Sequence, residues 1–218
     1  MNIETVWRLR EEIYPELFGP AGRGIFPLTP ELFDERFGQQ DVDPQWLVLG
    51  VFEFPPIPTR NSWLYVTSGY SDPWHEELEA HDPKGASYCG VEFTFSVSEQ
   101  GDWAIQTLLS VLAFDLLLGA GRFGNKPQLS FHDQISLGAP LNFKPDCEIR
   151  HVIMVQPEQM PDGFSLPSGT VQFIGFTGVT DAELSFANTH GSEPVISRLR
   201  AAGHHPITDP HRASLILT

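Results

Sequence analysis

The chain has 218 residues, 41% hydrophobic and 11% aromatic, enough apolar material for one large domain or two small ones. Twenty-eight acidic residues against thirteen basic ones leave a formal charge of −15, which works against a nucleic-acid backbone, since that needs clustered Lys and Arg. The same sign suits a basic protein partner, because complementary fields speed encounter, and it also serves solubility.

Ile3, Val6, Trp7, Leu9, Ile13, Leu17 and Phe18 mark residues 3–18 as an amphipathic helix that tolerates Pro15. Thr29-Pro30-Glu31-Leu32 reads as an N-cap with proline in the first turn, opening a helix that ends near Gly38. Trp46 to Phe54 is a β-rich run stopped by Pro55-Pro56-Ile57-Pro58, and Ser62 to Thr67 is a strand before a polar loop from Ser68 to Ser87. Val91 to Val97 alternates with the period of a half-buried strand. Asp102 then stands where an N-cap belongs. Trp103 to Leu118 follows with twelve apolar residues in sixteen, and Gln106, Thr107 and Ser110 share one polar strip. Such a helix is buried on most of its circumference. It is too short and interrupted for a bilayer span, and its strand is expected at the centre of a sheet.

Further strands are expected at Leu129–Phe131, at Glu148–Gln156 (buried on both faces), at Thr170–Phe176 and, as an edge, at Ser214–Leu217. Thr180 and Glu183 have capping-box spacing, so a helix starts there, and Glu193 to Ala202 is a last helix ended at Gly203. The pattern predicts a single α+β domain: a mixed central β-sheet with packed helices over 41–218, and an N-terminal helical segment, 1–40, packed on it. Met1–Glu4 opens neither a basic nor an apolar signal region. Cys89 and Cys147 are expected as reduced thiols. A cytoplasmic protein is the expectation.

Several clusters could carry chemistry. Gly119-Ala120-Gly121-Arg122-Phe123-Gly124 matches G-x-G-x-x-G, but here the helix precedes the glycines, and a helix C-terminus repels phosphate. A glycine-rich cap accounts for them. His75, His81 and Asp82 could serve a metal-dependent hydrolase, yet the six-residue gap puts the two histidines on opposite faces of a helix. His204, His205, Asp209 and His211 form a similar cluster near the end of the chain. There is no G-x-S-x-G elbow. Cys89 and His132 could meet in space, although a structural thiol is the commoner reading. Asp115, buried in an apolar helix, needs a partner or a raised pKa; pairing with a backbone donor or an arginine is favoured over a role as catalytic acid. Trp63, Tyr65, Tyr70, Trp74 and Tyr88 surround an acidic run from Glu76 to Asp82, the mixture that protein-binding surfaces concentrate, unless some of these rings roof the core.

From Trp63 onward the order of motifs resembles the suppressor-of-fused domain family. The matching pieces are Thr67-Ser68-Gly69-Tyr70-Ser71-Asp72, Gly90-Val91-Glu92-Phe93-Thr94-Phe95 with the apolar helix behind it, Gly169-Thr170-Val171-Gln172-Phe173, and Gly178-Val179-Thr180-Asp181-Ala182-Glu183-Leu184. The likeness covers roughly residues 45–215. It departs at Ser130-Phe131-His132-Asp133, where a Gly-His pair is expected. The resemblance implies a mixed α/β domain without catalytic residues. Animal members hold back zinc-finger transcription factors of the Hedgehog pathway, gripping an extended peptide between this domain and a second one, which is not expected within these 218 residues. Bacterial single-domain members are taken to be immunity proteins against polymorphic toxins. In the animal proteins the loop before the G-x-E-x-T-F strand gives the peptide site an aspartate and an aromatic, to which Asp82 and either Tyr70 or Trp74 would correspond.

The expectation is therefore a non-catalytic protein-binding domain, an immunity protein with no cofactor and no metal. It would bind a basic toxin through Tyr70, Asp72, Trp74, Glu76, Glu77, Glu79 and Asp82, with no nucleic-acid or membrane partner. The rivals are the metal-dependent hydrolase at His75 and His81, and a scaffold that adds a peptide strand to an open sheet edge.

Overall fold

The structure is a computed structural model and describes residues 3–74, 82 and 84–216. Its helices are α1 (Ile3–Phe18), α2 (Pro30–Phe37), α3 (Asp102–Gly119), α4 (Asp181–His190) and α5 (Ser192–Ala201). Its strands are β1 (Ile25–Pro27), β2 (Gly50–Phe54), β3 (Trp63–Ser68), β4 (Ala86–Val97), β5 (Gln134–Ser136), β6 (Ile149–Val155), β7 (Gly163–Leu166) and β8 (Gly169–Thr180). They form a sheet ordered β1-β2-β3-β4-β8-β6-β5, with β7 also paired to β8. The β4–β8 pair is parallel and the others are antiparallel, so the sheet is mixed and β4 lies at its centre, as expected.

Alternation along the strands divides the core between two layers of helices. Tyr65, Phe93, Phe95, Val152, Met154, Ile174 and Phe176 pack under α3 and α2. Leu64, Val66 and Phe173 face Tyr14 and Phe18 of α1 on the other side, and Ile153, Val155 and Val179 face Val195, Ile196 and Leu199 of α5. Fourteen of the eighteen α3 residues are buried. Each large apolar side chain taken out of water contributes about 1.5–3 kcal/mol, so this helix is the main apolar anchor of the fold.

Local signals placed most of the helix ends. Thr29 caps α2 and Gly38 closes it in the left-handed region at φ 64°, where a side chain would be strained. Both bonds of the α4 capping box are present. Five expectations are corrected. The N-cap of α3 is Gly101, without a side-chain bond; Asp102 sits in the first turn and pairs with Arg23 at 2.8 Å. The first half of the Trp46–Phe54 run is a 3-10 turn, Pro44–Val48, because Asp43 caps Gln45 N–H at 2.9 Å and proline presets the first dihedral. The polar loop ends sooner than Ser87, since β4 already begins at Ala86.

Leu129–Phe131 makes no strand: Leu129 N–H goes to the Asp115 carboxylate and Ser130 N–H to Asp133, and the ladder starts at Gln134. Among the described residues Ser214–Ile216 is no edge strand either, since Ser214 and Leu215 N–H donate to Glu148 and Glu183. Cys89 and Cys147 are free thiols.

Candidate partner-binding site

At the end of β3 the chain turns through Gly69, Tyr70, Ser71 and Asp72, and one buried acid from β4 fixes that turn. Glu92 Oε2 accepts the Thr67 hydroxyl at 2.6 Å, and Oε1 accepts Gly69 N–H at 3.1 Å, Ser71 N–H at 3.0 Å and the Ser71 hydroxyl at 2.8 Å. Thr67 Oγ1 accepts Phe93 N–H at 2.7 Å, so the strand after the turn is tied to the strand before it. Burial pushes the Glu92 carboxyl above its usual range, opposed by the Arg10 charge and the hydroxyl donors. The two motifs around Tyr70 and Glu92 are thus halves of one hydrogen-bonded unit.

Asp72 is 1% exposed and is met by α1. Arg10 grips its carboxylate with both Nη atoms, Nη2 to Oδ2 at 3.1 Å, and the Trp7 indole N–H donates to Oδ2 at 2.6 Å. Tyr14 OH donates to Thr67 O at 2.8 Å. Neither Trp7 nor Arg10 was anticipated in this role. A signal was present: Val6, Arg10, Tyr14 and Phe18 form the buried stripe of α1 at four-residue spacing, and an arginine in such a stripe calls for a buried acid.

Tyr70 is also interior, at 0% exposure. Its hydroxyl donates to Asp115 Oδ2 at 2.5 Å and accepts Gln128 Nε2 at 2.5 Å, while Asp115 Oδ1 accepts Leu129 N–H at 2.6 Å. Asp115 therefore has a backbone donor and a phenol as partners. Burial raises its carboxyl, against those two bonds. Burial likewise pushes the adjacent Cys89 thiol up to about 11, which leaves it a poor nucleophile.

The seven residues expected at a partner surface are thus divided by depth. Tyr70 and Asp72 lie inside, beneath the surface, as positioning residues. Trp74 is half-buried, edge-on to Trp7 at 5.8 Å between ring centroids. Asp82 is exposed, with Oδ1 accepting Lys84 N–H at 2.9 Å. Glu76, Glu77 and Glu79 lie outside the described residues, as do His75 and His81 of the hydrolase alternative. Among the flanking aromatics, Tyr65 roofs the core at 0% and Tyr88 is 43% exposed.

Elsewhere the sequence motifs are spent on structure. Glu183 closes the capping box on Thr180 N–H at 2.9 Å, holds both Nη atoms of Arg212 at 2.7 Å and accepts Leu215 N–H at 2.9 Å, which explains the Gly178–Leu184 motif. His205 contacts Thr177 Oγ1 and Glu158 Oε1, whereas His211 contacts Glu99. Among the described residues, no three His, Cys, Asp or Glu are placed to hold one metal ion.

A mixed sheet between two helical layers is the architecture of a suppressor-of-fused type domain. The family model described as Suppressor of fused protein (SUFU) matches residues 46–213, and the chain belongs to that family, one of protein-interaction domains. Solved structures similar to it include the following three. Sufu in the Sufu–Fu complex has 20% identity and a TM-score of 0.65, over 97% of this chain and 91% of that one. A putative SUFU homolog from Neisseria gonorrhoeae has 17% identity and a TM-score of 0.67 over the full length of both. Drosophila Suppressor of Fused has 20% identity and a TM-score of 0.60, over 85% of this chain and 50% of that one. No curated protein matches at a significant level.

Proposed function

We propose that the protein is a cytoplasmic immunity protein, which neutralises a polymorphic toxin by binding it one to one without catalysis. The observation that carries a protein-binding role is the likeness of the whole fold to Sufu as solved in complex with Fu. The charge of −15 favours a basic partner. The locked β3–β4 turn is what would hold the binding face: it delivers Trp74 to the head of the acidic segment carrying Glu76, Glu77 and Glu79, which ends at exposed Asp82. Acids steer the partner and aromatics anchor it; no metal or cofactor enters the mechanism.

The test is co-expression with a toxin encoded beside the gene, followed by size-exclusion chromatography with light scattering. A one-to-one complex and rescue from toxicity are expected. Reversing the charges of Glu76, Glu77 and Glu79 should slow association about tenfold at low salt, and less at high salt. Absence of both complex and rescue overturns the reading; unchanged low-salt association overturns the face.

A further inference from the structure

A cavity of about 420 Å³ opens beside the Tyr70–Gln128 hydrogen bond, at the end of α3. That volume is in the range of sites that enclose a small organic group. Its walls include Trp46 and Tyr88, the Asp43 carboxylate, the Cys89 thiol and the C-terminal turn of α3 at Leu116 and Gly119. Three features give it one chemical character. Two of its aromatic rings, Trp46 and Tyr88, are not fully buried, and aromatic faces attract organic cations. The half-exposed Asp43 and the carbonyl end of an eighteen-residue helix both contribute negative potential. Among the described residues lining it, none is Lys, Arg or His to neutralise that potential.

The backbone aims Tyr88 by a strained route. The β4–β8 register shifts between Ala86 and Val91, and inside that bulge Tyr88 holds φ 51°, in the left-handed region that favours glycine, followed by Gly90 at φ 67°. A bulge re-aims a side chain, and a bulky residue in this region persists only where the surrounding structure imposes it. Burial raises the Tyr88 phenol above its usual range, and the Asp43 carboxylate acts in the same direction.

We propose that this cavity receives an organic cation, the guanidinium or ammonium of a basic side chain on the protein partner, against the Trp46 and Tyr88 rings with Asp43 as counter-charge. This rests on the reading of the protein as a binder of a basic partner and gives that partner an anchor apart from the Trp74–Asp82 segment. Cys89, a neutral thiol here, is a soft wall and takes no part in chemistry.

The test uses the whole protein and three small probes: N-acetyl-arginine-methylamide, its uncharged citrulline counterpart, and spermidine. The readout is the NMR signal of the Trp46 indole, assigned with Trp46→Phe. The arginyl probe should move it with a dissociation constant on the order of millimolar, and the citrulline probe should bind at least about tenfold more weakly. Asp43→Asn keeps the cap on Gln45, because Asn caps as well as Asp, and should lose roughly tenfold of the affinity; Tyr88→Leu should do the same with the fold intact. An unmoved indole signal, or equal binding of the citrulline probe, overturns the proposal. Tighter binding of spermidine than of the arginyl probe assigns the cavity to a free polyamine and overturns the side-chain anchor. No toxin is present in these measurements. Failure here alongside a proven toxin complex therefore removes the anchor alone, and cation binding without any complex removes only the toxin reading.

Discussion

Glu92 Oε1 accepts both the backbone N–H and the hydroxyl of Ser71, at 3.0 and 2.8 Å. With the bonds from Thr67 and Gly69, four donors converge on one carboxylate that is 0% exposed. The turn that leads into the proposed binding segment is held from below by an acid on the neighbouring strand.

Replacing that acid should loosen the turn. Glu92→Ala leaves the N–H groups of Gly69 and Ser71 without an acceptor in the interior and should cost about 3 kcal/mol or more. Urea unfolding followed by circular dichroism measures this, and hydrogen exchange at residues 69–72 should rise more than in α3. Equal protection in both places would mean that the turn is held by something else.

Arg10 and Asp72 should behave as a coupled pair. Arg10→Met leaves a buried carboxylate uncompensated and should cost roughly 3–5 kcal/mol, while the double variant Arg10→Met/Asp72→Asn should recover a large part of the loss. A double-mutant cycle in urea measures the coupling. Losses that simply add would show that Arg10 and Asp72 do not act as a pair.

His205 should make stability depend on pH. Its side chain is 1% exposed, and its contacts fit one neutral tautomer, in which Nδ1 accepts the Thr177 hydroxyl and Nε2–H donates to Glu158. Burial lowers its pKa below the ordinary 6.5, with the Glu158 carboxylate offsetting only part of the effect. As pH falls, the unfolded chain binds this proton first. The stability from His205 is therefore complete above about 6.5 and is lost as pH drops toward the lowered folded-state value. Thermal melts from pH 7.5 to 5 should show a falling midpoint, and His205→Gln should flatten that slope.

The parts legible in the sequence are those whose causes lie within a few residues. Thr29 caps Leu32 and Glu183 reaches back to Thr180, three positions apart in each case. The apolar composition of α3 likewise announces its burial wherever it packs. The short strands β1 and β7, of three and four residues, give no period to read. The Trp46 run looked like strand throughout because its first turn is decided by Asp43 and Pro44, upstream of it.

Depth at the candidate site was a different matter. Tyr70, Asp72 and Trp74 look alike in sequence, as polar or aromatic residues in a polar loop. The fates of the first two are set by partners far away in the chain: Arg10 lies 62 positions from Asp72, and Asp115 lies 45 from Tyr70.

By itself the sequence determined the acidic character, most of the helix ends, the central strand and its apolar helix, and the family. Those follow from composition and from hydrogen bonds closed within one turn. The tertiary structure alone decided which acids are structural and which face solvent, and that Tyr88 and Trp46 share one cavity. A buried charge is tolerated only where a distant element supplies its partner, and that pairing exists only once the sheet has brought the elements together.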